Sequence, residues 1–180
     1  PRTLHNLERF FGRLSDPATG QTGYTRAGQG TDAMTAVGIL FQEFILKQPD
    51  SPLVKRGTEY LASRAKRVAK GNFYTIYNCT LAMYQAGGEP WQRWNKSVRE
   101  ALVAQQEREG CLRGSWSSPD WWSDGGRICS TAWGVLSLEV YYRFAREAKK
   151  PPDRKVEADQ PDTTGERDKD AKEGEKGRTI

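Results

Sequence analysis

The sequence predicts an all-α protein, a partial α/α toroid of about three helix pairs in which inner and outer helices alternate. Segments of helical length with charges on one face alternate with segments that are nearly free of charge. A helix that is apolar all round must be covered on every side, so the charge-free segments should form an inner layer and the others an outer layer. Related hexapeptides also recur in the three charge-free segments, which indicates a repeating unit.

The first predicted pair begins with an amphipathic helix over residues 3–14. Its apolar face consists of Leu4, Leu7, Phe10, Phe11 and Leu14. A glycine-rich loop, Ser15 to Gly30, leads to a helix over residues 31–46, which Thr31 or Asp32 can cap. The stretch from Ala33 to Gln42 carries no charge, so we assign this second helix to the inner layer.

The second pair follows the break KQPDSP. Residues 53–69 form an outer helix, with Lys and Arg outside and an inward face of Leu53, Val54, Gly57, Tyr60 and Leu61. After the short break KGN, the stretch from Phe73 to Gly88 contains no charge, which predicts an inner helix. Both helices have the length of typical globular helices.

The third pair begins after GGEP, with Pro90 in the first turn of a helix that reaches about Arg108. One stripe of this helix consists of Trp91, Trp94, Val98, Ala101, Leu102 and Gln105. A long loop, Gly110 to Gly126, contains three tryptophans and leads to an inner helix from Arg127 to about Ala148.

The three inner segments resemble one another. TAVGIL begins at Thr35, TLAMYQ at Thr80 and TAWGVL at Thr131. The two intervals between these starts are similar, and their size fits one helix pair per repeat. The alternative is an irregular helical bundle in which the similarity is a coincidence.

Charge divides the chain into a domain, 1–148, and a tail, 149–180. More than half of the tail is charged, with acidic and basic residues in equal number, and the tail contains no aromatic residue. Such a segment buries too little apolar surface to offset the entropy of ordering, so we predict a disordered polyampholyte. The net charge of +5 therefore belongs to the domain. We do not expect nucleic-acid binding, because SRAKRVAK is typical of a solvated helix face and no concentrated basic stripe occurs.

The residues do not indicate a metal site or a cofactor site. The three cysteines and single histidine lack the spacing of a zinc site, and Cys79 and Cys129 lie in apolar helical segments as small hydrophobic residues. We therefore expect no metal and no cofactor. No apolar span is long enough for a membrane helix. The chain begins at Pro1 without a methionine, so we expect a processed product or a fragment, and a targeting segment is not observable.

The third repeat resembles a known family. The run LVAQQEREGCLRGSW, with GGRICSTAWGVLSL after it, is similar to the glutamine–tryptophan repeat of the terpenoid cyclase and protein prenyltransferase superfamily. It resembles in particular bacterial toroid proteins with prenyltransferase and squalene oxidase repeats. That repeat has a glutamine at the end of an outer helix, a Gly-x-Trp turn and an inner helix that opens with Thr-Ala-Trp. The matching positions are Gln105 or Gln106, Gly114, Trp116, Thr131, Ala132 and Trp133.

The resemblance covers residues 1–148, about half of the ring known in that superfamily, and implies structural roles. Trp116 would lay its indole over the junction between helix pairs, and a glutamine amide would bond backbone groups at the N-terminus of the next inner helix. We expect Trp133 to lie in the core between helices. The spacing of ten residues from Gln106 to Trp116 is longer than in the compact family repeat.

The catalytic motifs of the superfamily do not occur in the sequence. There is no Asp-x-Asp-Asp cluster, no aspartate, cysteine and histidine set for zinc, and no Cys-Gly-Glu-Gln run, since Leu112 and Arg113 follow Cys111. Fold alone does not carry function. We therefore favour a non-catalytic toroid that binds a ligand or partner. The alternative is a fragment of a squalene-hopene-like cyclase or prenyltransferase-like enzyme whose catalytic half is absent.

A binding site is expected where the two long loops meet the N-termini of the inner helices, whose partial positive charge favours anions. The candidate ligand-binding residues are Tyr24, Arg26, Asp32, Tyr74, Tyr77, Trp121, Trp122, Asp124 and Arg127. They suit an apolar ligand with an acidic head, or an acidic peptide of a partner protein. The alternative is that the arginines are solvated or pair with Asp32 and Asp124, while the aromatic residues plug the mouth of the ring.

Two further expectations concern partners and chemistry. Half a ring leaves apolar helix flanks exposed, so we expect the remainder of a toroid in a longer chain or self-association. A carbohydrate-active toroid with paired carboxylates is a third interpretation, for which Asp32 and Asp124 are the plausible pair.

Overall fold

The computed structural model describes residues 2–117 and 125–143. Its helices are α1 (Arg2–Leu14), α2 (Asp32–Leu40), α3 (Pro52–Val68), α4 (Phe73–Ala86), α5 (Gly88–Gln105), α6 (Gly126–Leu138) and α7 (Val140–Arg143). A π-helical segment, Phe41–Ile45, extends α2, and Gly110–Leu112 forms a 3-10 turn. Two short antiparallel strands, β1 (Ser15–Asp16) and β2 (Gln21–Thr22), make a hairpin between α1 and α2.

The helices form two layers, which confirms the all-α prediction and its alternation. Helix α4 packs against α2 on one side and α6 on the other, so the charge-free helices form one row. Helices α3 and α5 pack against each other in the second layer. Each also packs against an inner helix, α3 against α2 and α5 against α4.

The helices of each layer run in the same direction. Outer helices α3 and α5 are parallel, because Arg93 pairs with Glu59 and, further along both helices, Gln105 bonds Ala69. Each inner helix runs antiparallel to its outer partner, as the pairing of Asp32 with Arg64 illustrates. The N-termini of the inner helices therefore lie at one end of the row, together with the loops that precede them.

Local sequence fixes where the helices begin. Thr31, Ser51 and Asn72 each accept a hydrogen bond from the backbone N–H three residues later, at the starts of α2, α3 and α4. These caps satisfy N–H groups that have no partner within the helix. The GGEP break is also where α4 ends, with Gly87 at φ 69°, a conformation that favours glycine.

The core follows the predicted faces of α2–α5 but not that of α1, where Leu4, Leu7 and Phe10 remain exposed. Side chains with almost no exposed area come from α2–α5 and the loop before α6; they include Ile39, Leu61, Ile76, Met83, Trp94, Leu102 and Trp116. The Trp94 indole also donates a hydrogen bond to the Thr80 hydroxyl at 3.1 Å. Its one polar group is thereby satisfied inside an apolar layer.

The loops before α2 and α6 are joined to these helices by the same two kinds of contact, which we call the seam. The backbone N–H of Trp116 donates to Thr131 Oγ1 at 3.1 Å, and its ring lies against Gly134. In the first repeat the backbone N–H of Thr22 donates to Thr35 Oγ1 at 3.2 Å, and its side chain lies against Gly38. In each case the loop residue bonds the threonine that opens the repeated hexapeptide and packs on the glycine three residues later.

Three local features differ from the sequence predictions. The loop after α1 contains the β1–β2 hairpin, where the sequence indicates only a glycine-rich loop. The last inner helix breaks at Glu139, so that α6 and α7 replace one continuous helix in the described region. Helix α6 is not covered on every side: Ile128 is 87% exposed and Val135 39%. It lies at the end of the row, and no described helix packs beyond it.

Candidate functional site

An aromatic cluster joins the inner helices α4 and α6. The ring of Trp133 lies 4.8 Å from that of Tyr77 and 5.8 Å, edge to face, from that of Tyr74. Tyr74 and Tyr77 lie in the first two turns of α4, at the end where the inner helices begin. Tyr74 remains 49% exposed, whereas Tyr77 and Trp133 are half-buried. The cluster is an aromatic surface within reach of solvent, and it brings together two predicted ligand-binding residues and one predicted core residue.

Asp32 is held by the outer layer. Its carboxylate accepts a hydrogen bond from Arg64 Nε at 2.8 Å and another from Arg67, both on α3. Only 12% of its side chain is exposed, and its position in the first turn of α2 favours a negative charge there. This ion pair fixes an inner helix on an outer one. Asp32 therefore pairs with Arg64 and Arg67, rather than with either arginine proposed from the sequence.

Cys79 is part of the same contact. Its thiol donates a weak hydrogen bond to the Asp32 backbone oxygen at 3.4 Å, which joins α4 to the first residue of α2. Burial, and secondarily the nearby Asp32 charge, raise the pKa of the Cys79 thiol well above its ordinary value. The thiol is fully buried and acts as a small core residue, in agreement with the sequence prediction.

Arg127 lies in the first turn of α6. Its guanidinium donates to Ser115 Oγ at 3.0 Å and lies 3.6 Å from a carboxylate oxygen of Glu107. About 30% of its side chain is exposed. The Glu107 carboxylate offsets part of the positive charge of Arg127. The guanidinium has five N–H donors, more than these two contacts use. Arg127 is thus a fixed cationic group at the N-terminus of the inner helix that carries Trp133.

The remaining predicted ligand-binding residues are not joined to this cluster. Tyr24 and Arg26 are exposed in the turn after β2, and within the described residues they make no hydrogen bond, ion pair or ring contact with it. Trp121, Trp122 and Asp124 lie outside the described residues. The proposed pairing of Asp32 with Asp124 for general acid and base work therefore has no observed geometry.

The residues of the predicted repeat make a connected seam. The Trp116 indole N–H donates to the Leu102 backbone oxygen at 2.7 Å, and Thr131 bonds its backbone. Gln105 donates to the Ala69 oxygen at the end of α3, and Gln106 to the Gly114 oxygen of the turn. Both glutamine contacts differ from the expected contact with the N-terminus of α6. Gln105 lies at the end of α5 beside the end of α3, and Gln106 reaches only the turn that precedes α6.

Sequence reasoning missed one residue with unusual chemistry, Glu43. Its side chain lies in the π-helical segment after α2, is only 6% exposed, and neither carboxylate oxygen has a hydrogen-bond partner among the described residues. Burial raises the pKa of Glu43 to about 7. Glu43 lies seven residues after Ala36 and four after Ile39, which have no exposed area, so helical periodicity places it on the same buried face. Its charge, just beyond a charge-free stretch, is what makes the position look like an exposed helix end.

The outer layer contains a groove of about 620 Å³ between α3 and α5. Its floor is made by Ala62, Ala65 and other small residues, and Lys66 and Lys96 line it. Arg93, also at the groove, is paired with Glu59. This groove was not predicted, because it depends on the separation of two outer helices and not on a motif.

The described parts of the chain offer no metal site of the usual kind. Within residues 2–117 and 125–143, no group of three or more His, Cys, Asp and Glu side chains could hold a metal ion. None of the helices in those ranges has the length and apolar character needed to cross a membrane.

Comparison with protein-family models, curated proteins and solved structures found no match. The similarity to the glutamine–tryptophan repeat therefore stays a prediction made from the residues of the third repeat. What the structure supplies independently is the two-layer helical arrangement, the seam at Trp116 and the aromatic cluster at Trp133.

Proposed function

We infer that the chain is a non-catalytic binding domain of the α/α toroid type, whose inner layer takes up an apolar ligand or partner with an acidic head. The observation that carries this proposal is the cluster of Tyr74, Tyr77 and Trp133. These rings lie at the end of the row where the inner helices begin, which is where the sequence predicts the site.

The cluster has the physical properties of a binding surface for apolar groups. Aromatic rings bury a large area for little loss of conformational freedom, and Tyr keeps a polar end that tolerates water. Tyr74 is half exposed while its ring contacts the half-buried Trp133, so a ligand can cover an ordered surface. Apolar surfaces with a few polar groups at the edge are typical of ligand sites.

Arg127 is the candidate for binding the acidic head. It lies in the first turn of α6, the helix that carries Trp133, and Ser115 fixes its guanidinium. The helix N-terminus adds a partial positive charge and free N–H groups, both of which favour an anion. Glu107 at 3.6 Å weakens the attraction for an anion, so we expect a modest contribution from Arg127.

The contacts of Asp32 disfavour an enzymatic role for that residue. A general acid or base must be able to reach the proton it transfers in a bound substrate. Both carboxylate oxygens of Asp32 are instead engaged by Arg64 and Arg67, and the side chain is nearly buried between two helices. This structural role supports the binding interpretation over the carbohydrate-active interpretation, in which Asp32 would be one of the paired carboxylates.

Calorimetric titration of the full chain with decanoate and with decanol tests the proposal. Decanoate should bind, and Trp133→Leu should weaken its binding at least about tenfold, about 1.4 kcal/mol. Arg127→Ala should weaken decanoate binding and leave decanol binding unchanged. Arg99→Ala, an exposed arginine on α5, is the matched charge control. The proposal would be contradicted if neither molecule bound, or if Trp133→Leu bound decanoate with the affinity of the wild type.

A further inference from the structure

We propose that this chain associates head to tail with a second copy of itself, the exposed apolar stripe of α6 in one copy packing against the exposed apolar face of α1 in the other. The stripe consists of Ile128, Ala132 and Val135. The proposal goes beyond the proposed function, since it names the partner of a surface that the ligand site does not use.

The repeat register identifies the stripe as a surface that receives a further helix. With Thr35, Thr80 and Thr131 taken as equivalent, Ile128, Ala132 and Val135 correspond to Tyr77, Leu81 and Tyr84 of α4. On α4, residues at these positions contact the part of the chain that follows α4. Tyr77 contacts Trp133 of α6, and Tyr84 contacts Tyr141 of α7 at 5.8 Å between ring centroids.

The equivalent positions of α2 are covered as well. They are Asp32, Ala36 and Ile39, of which Ala36 and Ile39 have no exposed area. The Asp32 backbone oxygen accepts the hydrogen bond from Cys79 of α4. The equivalent surface is thus occupied twice along the row. On α6 it is bare, with Ile128 87% exposed and no described residue covering it.

Residues 149–180 do not offer a cover of the right kind. More than half of them are charged and none is aromatic. That composition contains no apolar stripe at helical spacing, which the surface on α6 requires. We infer that the covering helix belongs to a second copy of the chain.

Helix α1 carries such an apolar face. Its residues Leu4, Leu7 and Phe10 share one face and are between 38% and 45% exposed. The last turns of α1 are fixed, because Leu14 is buried and the Phe11 ring stacks on Phe41 at 4.1 Å. The described chain thus presents one exposed apolar face on α1, before the hairpin, and another on α6.

Two such faces on opposite ends of one chain lead to a definite mode of assembly. A contact between unlike surfaces either closes into a ring or continues as an open chain of copies. Closure with two copies makes the same α1–α6 contact twice and leaves neither face exposed. The exposed apolar side chains on both faces are the driving force, through the hydrophobic effect.

Sedimentation equilibrium of the full chain over a range of concentrations tests this. We expect a species of twice the 20.3 kDa mass of the chain. Ile128→Glu and Leu7→Lys should each give monomers, because each puts a charge into an apolar contact. Val103→Glu, which changes an exposed apolar residue of α5, is the matched control and should associate like the wild type.

Mixing the two variants makes the test specific. A pair of Ile128→Glu and Leu7→Lys chains has one unaltered α1–α6 contact and one in which the two introduced charges, of opposite sign, face each other. Association should therefore return. A mixture that stays monomeric would indicate contact between like faces and overturn the pairing. Assemblies larger than a dimer that disappear in both single variants would also support the α1–α6 contact, in an open chain of copies instead of a closed dimer. Circular dichroism checks folding, and Ala132→Glu replaces Ile128→Glu if that chain fails to fold.

A wild-type chain that stays monomeric at all concentrations would overturn the proposal. So would association that persists in both charged variants. Neither result affects the proposed function, because decanoate binding is measured separately and depends on Trp133. Conversely, a head-to-tail dimer that binds no decanoate would leave this inference standing while the ligand proposal fails.

Discussion

The indole of Trp116 lies directly against the α-carbon of Gly134. A β-carbon at residue 134 would come within 3.0 Å of the ring, closer than side chains normally approach. The loop before α6 is held to the inner layer through this contact and the bond from Trp116 to Thr131. The same relationship between Thr22 and Gly38 holds the loop before α2, so the seam is a property of the repeat.

Gly134→Ala should therefore destabilise the protein by about 1–2 kcal/mol, through overpacking of the indole. Gly12→Ala is the matched control, because a β-carbon at Gly12 in α1 meets nothing within 4 Å. It should stabilise by about 0.5–1 kcal/mol, since alanine favours the helix. Chemical denaturation measures both. A stabilised Gly134→Ala chain is incompatible with the seam.

Trp116→Phe should destabilise the protein by roughly 1–3 kcal/mol, because a buried carbonyl oxygen left without a partner costs about that much. The phenyl ring keeps the apolar contact but removes the N–H that donates to the Leu102 backbone oxygen at 2.7 Å. The control is Trp133→Phe, whose indole N–H has no described hydrogen bond, and which should change the unfolding free energy less. Equal losses in the two variants would speak against the bond.

Glu43 should make stability depend on pH. Because its folded pKa, about 7, is raised above the ordinary value, the fold favours the protonated acid. Its contribution is complete below the ordinary glutamate pKa, about 4.3. It is lost as the pH rises through 7, so the wild type should be less stable at about pH 8 than at about pH 5.

Glu43→Gln removes this titration while it keeps the size and neutrality of the protonated acid. The variant should be more stable than the wild type at about pH 8, by about 1–2 kcal/mol, and similar at about pH 5. Glu100→Gln, at an exposed glutamate of α5, is the control. Urea unfolding at the two pH values measures the difference. Parallel pH profiles for Glu43→Gln and wild type would rule out a buried, unpaired carboxyl group.

Asp32→Asn should destabilise the protein by about 1–2 kcal/mol. The change leaves Arg64 and Arg67 without the carboxylate that ties α2 to α3. The loss stays below that of a fully buried pair because 64% of the Arg67 side chain is exposed. Asp50→Asn, whose ion pair with Lys55 is exposed, is the control and should have little effect. An unchanged unfolding midpoint for Asp32→Asn would contradict the tie between layers.

The layers could be predicted from the sequence because they depend on the period of apolar residues. The charge-free stretch at Phe73–Ala86 could only be stable at the centre, and it is there that α2 and α6 pack. The cap at Thr31 follows from local chemistry in the same way. The resemblance implies a place for Trp116 over a helix junction; in the structure its indole donates to Leu102 of α5 and lies against Gly134 of α6.

What the sequence could not predict depends on register and on relative placement. The π-helical segment Phe41–Ile45 departs from the hydrogen-bond pattern of an α-helix, and the period of apolar residues does not reveal that change. The hairpin between α1 and α2 has strands of two residues, too short for an alternating pattern. The spacing of residues along α2 also could not show that Asp32 contacts Arg64, because Arg64 lies on another helix.

The most direct test of the proposed binding site is the two-dimensional NMR spectrum of the indole N–H groups during a titration with decanoate. The Trp94 and Trp116 indoles are buried and bonded to Thr80 and Leu102, so their signals should stay in place. The Trp133 signal, assigned by its loss in Trp133→Phe, should move with saturation. A Trp133 signal that stays fixed at saturating decanoate, or equal shifts of all three signals, would contradict the account.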